Sequence, residues 1–282
     1  MENALEITGL CKQYAGFALQ DVGFTLPRGS VMGFIGENGA GKTTTIKAIL
    51  NLIRPDSGDI RVLGLDNRKD ERAFKERIGV VLEDGSFLNT LNACHVDTLL
   101  GKAYQNWHSD QFFGFMKRFH IDEKKPIKDY SKGMRMKVAI ASALSHDAEL
   151  LIMDEPTSGL DPIVRDEVLD VFYDFMQDER HAILLSSHIT SDLDKIADFI
   201  TFIHNGQIAL SEPRDELLDT YGVLRCTADQ MAALSPEAVR AKRAGAFGCE
   251  ALVRRGQVPA NWPVETVNIE QIMLFLTRGE TF

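Results

Sequence analysis

Gly36-Glu37-Asn38-Gly39-Ala40-Gly41-Lys42-Thr43-Thr44 gathers small residues, one lysine and two hydroxyls in a single short stretch. It fits the phosphate-binding pattern G-x-x-x-x-G-K-[ST]. Glycines let a backbone wrap tightly, so that its N–H groups turn inward at phosphate oxygens, and a helix start adds a favourable dipole. Lys42 would reach the terminal phosphates of a nucleotide, and the Thr43 hydroxyl would take a magnesium ion. A second stretch, Leu150-Leu151-Ile152-Met153-Asp154-Glu155, ends an apolar run in two carboxylates. Asp154 is placed to hold Mg²⁺ through water, and Glu155 to polarise an attacking water.

Such residues act only if the chain positions them. Val31-Met32-Gly33-Phe34-Ile35, before the glycine loop, reads as a buried strand. After it, Ile46, Ile49, Leu50 and Ile53 fall at helical spacing, predicting a helix over 43–53. Leu150–Met153 reads as another buried strand. Parallel α/β folds present ligands at the carboxyl ends of strands, where both motifs would lie.

Bulk properties narrow the class. The chain has 282 residues, 44% hydrophobic and 26% charged, which predicts a globular fold. A net charge of −10 argues against broad capture of nucleic acid, so none is expected as a partner. No apolar run reaches the length of a membrane span. Met1-Glu2-Asn3-Ala4 lacks the basic start of a secretory signal. Cys11, Cys94, Cys226 and Cys249 are scattered without metal-ligand spacing and read as reduced cytosolic thiols.

Along the chain, residues 5–30 read as short strands and turns, with Cys11–Tyr14 as a polar interruption. Residues 31–83 read as strand, helix, a glycine-rich ribbon, a charged helix near 69–77, and a strand over 78–82. Residues 84–148 read as a helical insert. Phe112, Phe115 and Phe119 share a helical face there that is assigned to the core. Residues 149–210 return to α/β, with a helix over 162–178, a strand over 182–187, a helix over 190–196 and a hairpin turning at Asn205-Gly206. Pro213 opens a helix over 214–220. Beyond Tyr221 the pattern changes to a small appended unit. In it Asn268-Ile269-Glu270-Gln271 predicts a capping box before a helix with Ile269, Ile272, Met273 and Leu276 on one face.

Further segments, in order, resemble the nucleotide-binding subunit of ATP-binding-cassette (ABC) transporters. Tyr130-Ser131-Lys132-Gly133-Met134-Arg135 is similar to the family signature L-S-G-G-Q, Ser158-Gly159-Leu160-Asp161 to its D-loop, and His188 to its switch histidine. Tyr14 is similar to the aromatic that stacks on adenine. Each has a plainer reading. Tyr14 could be a cross-strand aromatic in a hairpin, Ser131 an N-cap, and His188 a hydrogen-bonded strand-end residue. Glu83 stands where the family places Gln, Lys132 where it usually has Gly, and Met134 where it has Gln.

The resemblance implies an α/β P-loop NTPase of ABC type. Its core would be a mixed sheet with an N-terminal antiparallel β part and a helical subdomain at about 84–148. Residues 1–220 would form the ATPase domain and 221–282 a small C-terminal α/β subdomain. ATP and Mg²⁺ are the implied cofactors. Lys42, Glu155 and His188 would be catalytic. Tyr14, Gly36, Asn38, Gly39, Ala40, Gly41, Lys42, Thr43, Thr44, Ser131, Gly133 and Asp161 would bind nucleotide. Thr43, Asp154 and Glu83 would serve the metal. One copy of each motif implies a second ATP-binding subunit, a homodimer first, with ATP between P-loop and signature. It also implies an integral-membrane permease docked near Glu83–Leu91, and a cytoplasmic subunit held peripherally at the membrane. The signature variant and the C-terminal ending look similar to subunits of ABC-2 type exporters. A soluble ABC ATPase, or a nucleotide-sensing module without transport, stays open as an alternative.

Overall fold

The computed structural model describes residues 2–82, 90–245 and 248–281. The N-terminal part is a four-stranded antiparallel sheet, built from β1 (Asn3–Tyr14), β2 (Phe17–Pro27), β4 (Ser57–Val62) and β5 (Leu65–Asp66) in the order β2-β1-β4-β5. The polar stretch expected to interrupt β1 instead continues it to Tyr14. Register shifts after Ile7 and Leu10 absorb the change in pattern.

β3 (Val31–Ile35) leads through the glycine loop into α1 (Lys42–Ile49). This helix ends four residues earlier than its apolar spacing predicts. Asn51 takes a left-handed φ of 55°, its N–H donates to the Ala48 carbonyl at 3.1 Å, and the Leu52 N–H reaches back to Lys47 at 2.9 Å. That is a Schellman stop with Asn in the usual Gly position. α2 (Glu71–Lys75) and β6 (Ile78–Val81) follow.

The expected helical insert is present as α3 (Ala93–Ala103), α4 (Ser109–Arg118) and α5 (Lys132–Leu144). Phe112 and Phe119 are buried as predicted, whereas Phe115 is half-buried and stacks on Phe119, and Met116 completes the face. Then come β7 (Leu150–Asp154), α6 (Pro162–Phe175), β8 (Ala182–Ser186), α7 (Thr190–Ile196), β9 (Phe199–His204), β10 (Gln207–Pro213) and α8 (Arg214–Thr220). The β9–β10 hairpin turns at Asn205 and Gly206, with φ of 48° and 77°. A Cβ on Gly206 would sit 1.8 Å from the Ala18 carbonyl, so only glycine fits there.

The second sheet runs β10-β9-β3-β8-β7-β6, parallel except for the β10 edge. Its strands read as continuous apolar runs because both faces are covered. Val31, Ile35, Leu151, Met153, Ile183 and Leu185 face the helical side. Met32, Phe34, Leu150, Ile152, Ala182 and Leu184 face the N-terminal sheet. The strand period of two thus divides one sheet between two cores.

The C-terminal part is a third sheet, in the order β14-β11-β13-β12-β15. It comprises β11 (Tyr221–Cys226), β12 (Val239–Gly245), β13 (Gly248–Arg254), β14 (Val264–Glu265) and β15 (Glu280–Thr281), with α9 (Ala228–Ala232) and α10 (Ile269–Arg278). The predicted capping box is formed. The Gln271 N–H donates to the Asn268 side chain at 2.8 Å, and the Asn268 N–H donates to the Gln271 side chain at 3.1 Å. The buried face of α10 is Ile269, Ile272, Phe275 and Leu276, with Met273 at its margin.

Candidate active site

Three chain segments converge at the carboxyl ends of β3, β7 and β8. Gly41 caps α1 with φ of 118°, and a Cβ there would lie 2.6 Å from Leu19, so the loop closes only around glycine. The Ala40 N–H donates back to the Glu37 carbonyl at 3.1 Å. Glu37, Asn38 and Gly39 stay exposed, whereas Gly36 and Ala40 are buried. Beneath the loop the buried Lys42 ammonium donates to the Gly36 carbonyl at 2.7 Å and lies 3.7 Å from Glu155 Oε1.

β7 delivers the two carboxylates. Asp154 Oδ2 accepts from the Thr43 hydroxyl at 2.8 Å, and Oδ1 accepts from the Ser186 hydroxyl at 2.6 Å. Glu155 takes a left-handed φ of 53°, a conformation costing a glutamate about 1–3 kcal/mol. Its N–H is held by the Ser186 side chain and carbonyl, both at 3.1 Å. The bend turns the buried carboxylate off the strand axis, and Oε2 meets His188 Nδ1 at 2.6 Å. The His188 side chain is half exposed and reaches across the opening.

The opening is a cleft of about 570 Å³. Gly39, Gly41, Lys42, Thr43 and Thr44 line it together with Glu155, Ser158 and His188. Thr43 and Asp154 offer hard oxygens at its floor, the donor chemistry magnesium takes. No group of three or more His, Cys, Asp or Glu side chains positioned to hold a metal is present among the described residues. Two oxygen donors suit an ion that also binds phosphate oxygens and water. Glu83 lies outside the described residues, as does most of the expected Glu83–Leu91 docking segment.

Other predicted residues lie away from this cleft. Ser131 is exposed and caps α5, accepting from the Met134 N–H at 3.2 Å. Asp161, also exposed, caps α6 by accepting from the Val164 N–H at 3.1 Å, with Pro162 in the first turn. These two helix starts abut. A Cβ on Gly133 would meet Val164 at 3.1 Å, and one on Gly159 would lie 2.8 Å from the Lys132 ammonium. Lys132 thus reaches over the 158–161 turn. Tyr14 is 41% exposed at the end of the β1–β2 hairpin, opposite Phe17, with the Lys12 ammonium 5.6 Å from its ring centre. Its neighbours Gly16 and Phe17 line the cleft instead. Sequence reasoning missed them, and missed Ser186, whose hydroxyl fixes both carboxylate residues. A hydroxyl ending an otherwise apolar strand was its available signal.

The family model described as ABC transporter matches residues 19–158. The bacitracin transport ATP-binding protein BcrA of Bacillus licheniformis is 35% identical over 229 residues, covering 77% of this chain and 72% of the relative. This chain belongs to the ABC transporter ATP-binding proteins. The ABC transporter ATP-binding protein NatA of Bacillus subtilis (strain 168) is 37% identical over 198 residues, covering 68% of this chain and 80% of NatA. The lantibiotic transport ATP-binding protein SrtF of Streptococcus pyogenes is 35% identical over 219 residues, covering 75% and 91% respectively. A solved ATP-binding subunit of an ABC transporter superposes with a TM-score of 0.68 at 27% identity, covering 76% of this chain and 91% of that one. Membership makes the protein an ATP-hydrolysing subunit that powers transport through a permease. Among its described residues no helix is long and apolar enough to cross a membrane.

Proposed function

We propose that the cleft hydrolyses ATP with Glu155 as general base and His188 as the group that orients it, and that the energy drives an ABC-2 type exporter. The carrying observation is the cluster in which Glu155 lies 2.6 Å from His188 and 3.7 Å from Lys42 beneath the glycine loop. The loop N–H groups and Lys42 bind the phosphates. Glu155 takes a proton from water as its oxygen bonds to the γ-phosphorus, and the bond from the γ-phosphorus to the bridging oxygen breaks, giving ADP and phosphate. Thr43 and Asp154 would hold Mg²⁺, which supplies charge neutralisation on the phosphate oxygens.

Ser131, Gly133 and Asp161 act in trans on this reading. Their helix starts lie outside the cleft of their own chain, and a capped helix start favours anions. A second copy would bring them onto the phosphates, so the active unit is a homodimer. A dimeric ATP-binding cassette bound to ADP and phosphate shares this fold, with a TM-score of 0.66 at 18% identity. Glu83 is proposed as a metal-side oxygen in the Gln position, and Tyr14 as an adenine contact. Residues 1–220 are proposed as the ATPase domain, 221–282 as an accessory unit. The relatives named for bacitracin and lantibiotic transport favour a cargo of that kind, and a peripheral position at the cytoplasmic membrane face is proposed as the consequence of docking on a permease.

Glu155→Gln tests the reading. Phosphate release should fall steeply while ATP binding persists, and light scattering should show an ATP-bound dimer. Wild-type turnover in that variant would remove Glu155 from the role.

A further inference from the structure

The C-terminal sheet holds a pocket that the nucleotide chemistry does not use. It is an open cavity of about 670 Å³ between α9, β12, the start of β13 and the end of α10. Met231, Leu234 and Val239 supply an apolar wall. Its charged lining, among the described residues, is Lys242, Arg243 and Arg278. A chain of net charge −10 that places basic residues around an apolar hollow has built local complementarity to an anion.

The basic residues are not equivalent. Arg243 donates to Glu250 at 2.7 Å and lies over the Phe275 ring at 4.6 Å, so it holds β12 to β13 and α10. Arg278 is exposed in the last turn of α10, and no hydrogen bond or ion pair joins it to another described residue. Its guanidinium can meet an incoming acid without breaking a contact. The size suits a small organic ligand, since such pockets run to several hundred Å³ with apolar walls and a few placed polar groups.

We propose that this pocket binds a free amphipathic carboxylate, its apolar body against Met231, Leu234 and Val239 and its carboxylate at Arg278, and that binding is read by the ATPase. The route is α10. One end of this helix lines the pocket, and its buried face shares a core with Leu193 and Ala197, of α7 and its end. α7 begins two residues after His188. A ligand that fixes α10 therefore acts on the segment carrying the histidine that meets Glu155.

Decanoate, below its micelle concentration, is the probe. Calorimetry on the full chain should show saturable binding, with decanol weaker by about tenfold or more for want of the charge-assisted contact. Arg278→Glu should weaken decanoate by about tenfold or more, and as an exposed position it should leave the fold intact. Cys249 also lines the pocket, so decanoate should slow its alkylation by iodoacetamide while leaving Cys11 and Cys94 unchanged, resolved by peptide mass spectrometry. Equal affinity for decanol, unaltered binding by Arg278→Glu, or unprotected Cys249 would overturn the site. Binding without any change in ATP turnover would overturn its link to the ATPase. The binding assays need no ATP, so their outcome is separate from the assignment of Glu155.

Discussion

The P-loop end and the signature end of this chain both present helix starts suited to phosphate, yet they are built on opposite terms. At the P-loop end the charges answer one another within the subunit. Lys42 is buried against loop carbonyls and Glu155, Thr43 and Ser186 hold Asp154, and His188 holds Glu155. At the signature end Ser131 and Asp161 only cap their own helices, and Ile163 beside them is 74% exposed. Ile163 thus stands in the open next to two helix starts of the kind that favours anions. On the proposed reading, the contrast separates the half of a composite site that one chain completes from the half that a second copy would use.

The largest effects should come from the finished half. Lys42→Ala should abolish detectable nucleotide binding and turnover together, because it removes the buried cation beneath the glycine loop that is proposed to bind the phosphates. Glu155→Gln should cut turnover by about 10²–10⁴-fold, the usual worth of a positioned base, while nucleotide still binds. Fluorescent-nucleotide titration beside a phosphate-release assay distinguishes the two. Equal losses of binding in both variants would erase the division of labour between them.

Ser131→Arg addresses the other half. It places a long cation on an exposed turn, so nucleotide affinity of the single subunit should stay within about twofold, less than 0.5 kcal/mol. ATP-dependent dimerisation and turnover should be lost. If the variant instead loses nucleotide affinity as a monomer, Ser131 acts in its own chain and the contrast fails.

β7 repeats the contrast on a smaller scale. Glu149, just before the strand, is held by Arg77 at 2.5 Å and Arg28 at 2.7 Å, and these guanidiniums lower its carboxyl from an ordinary 4.5 to about 2. Its ionised form is therefore stabilised by folding. That stability is fully present above about pH 4.5 and disappears as pH falls toward about 2. Glu149→Gln should lower stability at pH 7 by about 1–2 kcal/mol, allowing for the partial exposure of the group. The gap from wild type should close between those pH values in denaturant melts. ATP binding should be unchanged at pH 7, since the network lies at the opposite end of the strand from Asp154.

What could be read from the sequence follows the range of the interactions involved. The strands β3, β7 and β8 were legible because burial on both faces makes them unbroken apolar runs. The cap at Asn268 was legible because both of its hydrogen bonds close within three residues. The end of α1 was not, since Leu52 and Ile53 fit helical spacing and only the left-handed turn at Asn51 overrides it. Ser186 could not be assigned, because its partners lie 31 and 32 residues away in the chain. The pocket side of the C-terminal sheet was hidden for a similar reason. It is assembled from α9, β12, β13 and α10, none of which carries a motif alone.

Asp161 offers the finest test, because its two possible duties separate chemically. As an N-cap it needs only an oxygen that accepts from the Val164 N–H, which asparagine supplies as well as aspartate. As a contact to a partner subunit it would use its charge. Asp161→Ala should therefore destabilise the chain by about 1 kcal/mol, the typical loss of a cap, while Asp161→Asn should melt like wild type. If Asp161→Asn keeps full stability but slows turnover, the carboxylate works across the dimer interface, and even the exposed half of the site carries chemistry beyond helix capping. If both stability and turnover are unchanged in Asp161→Asn, the cap is its whole contribution, and the demand for a second copy rests on Ser131 and its neighbours alone.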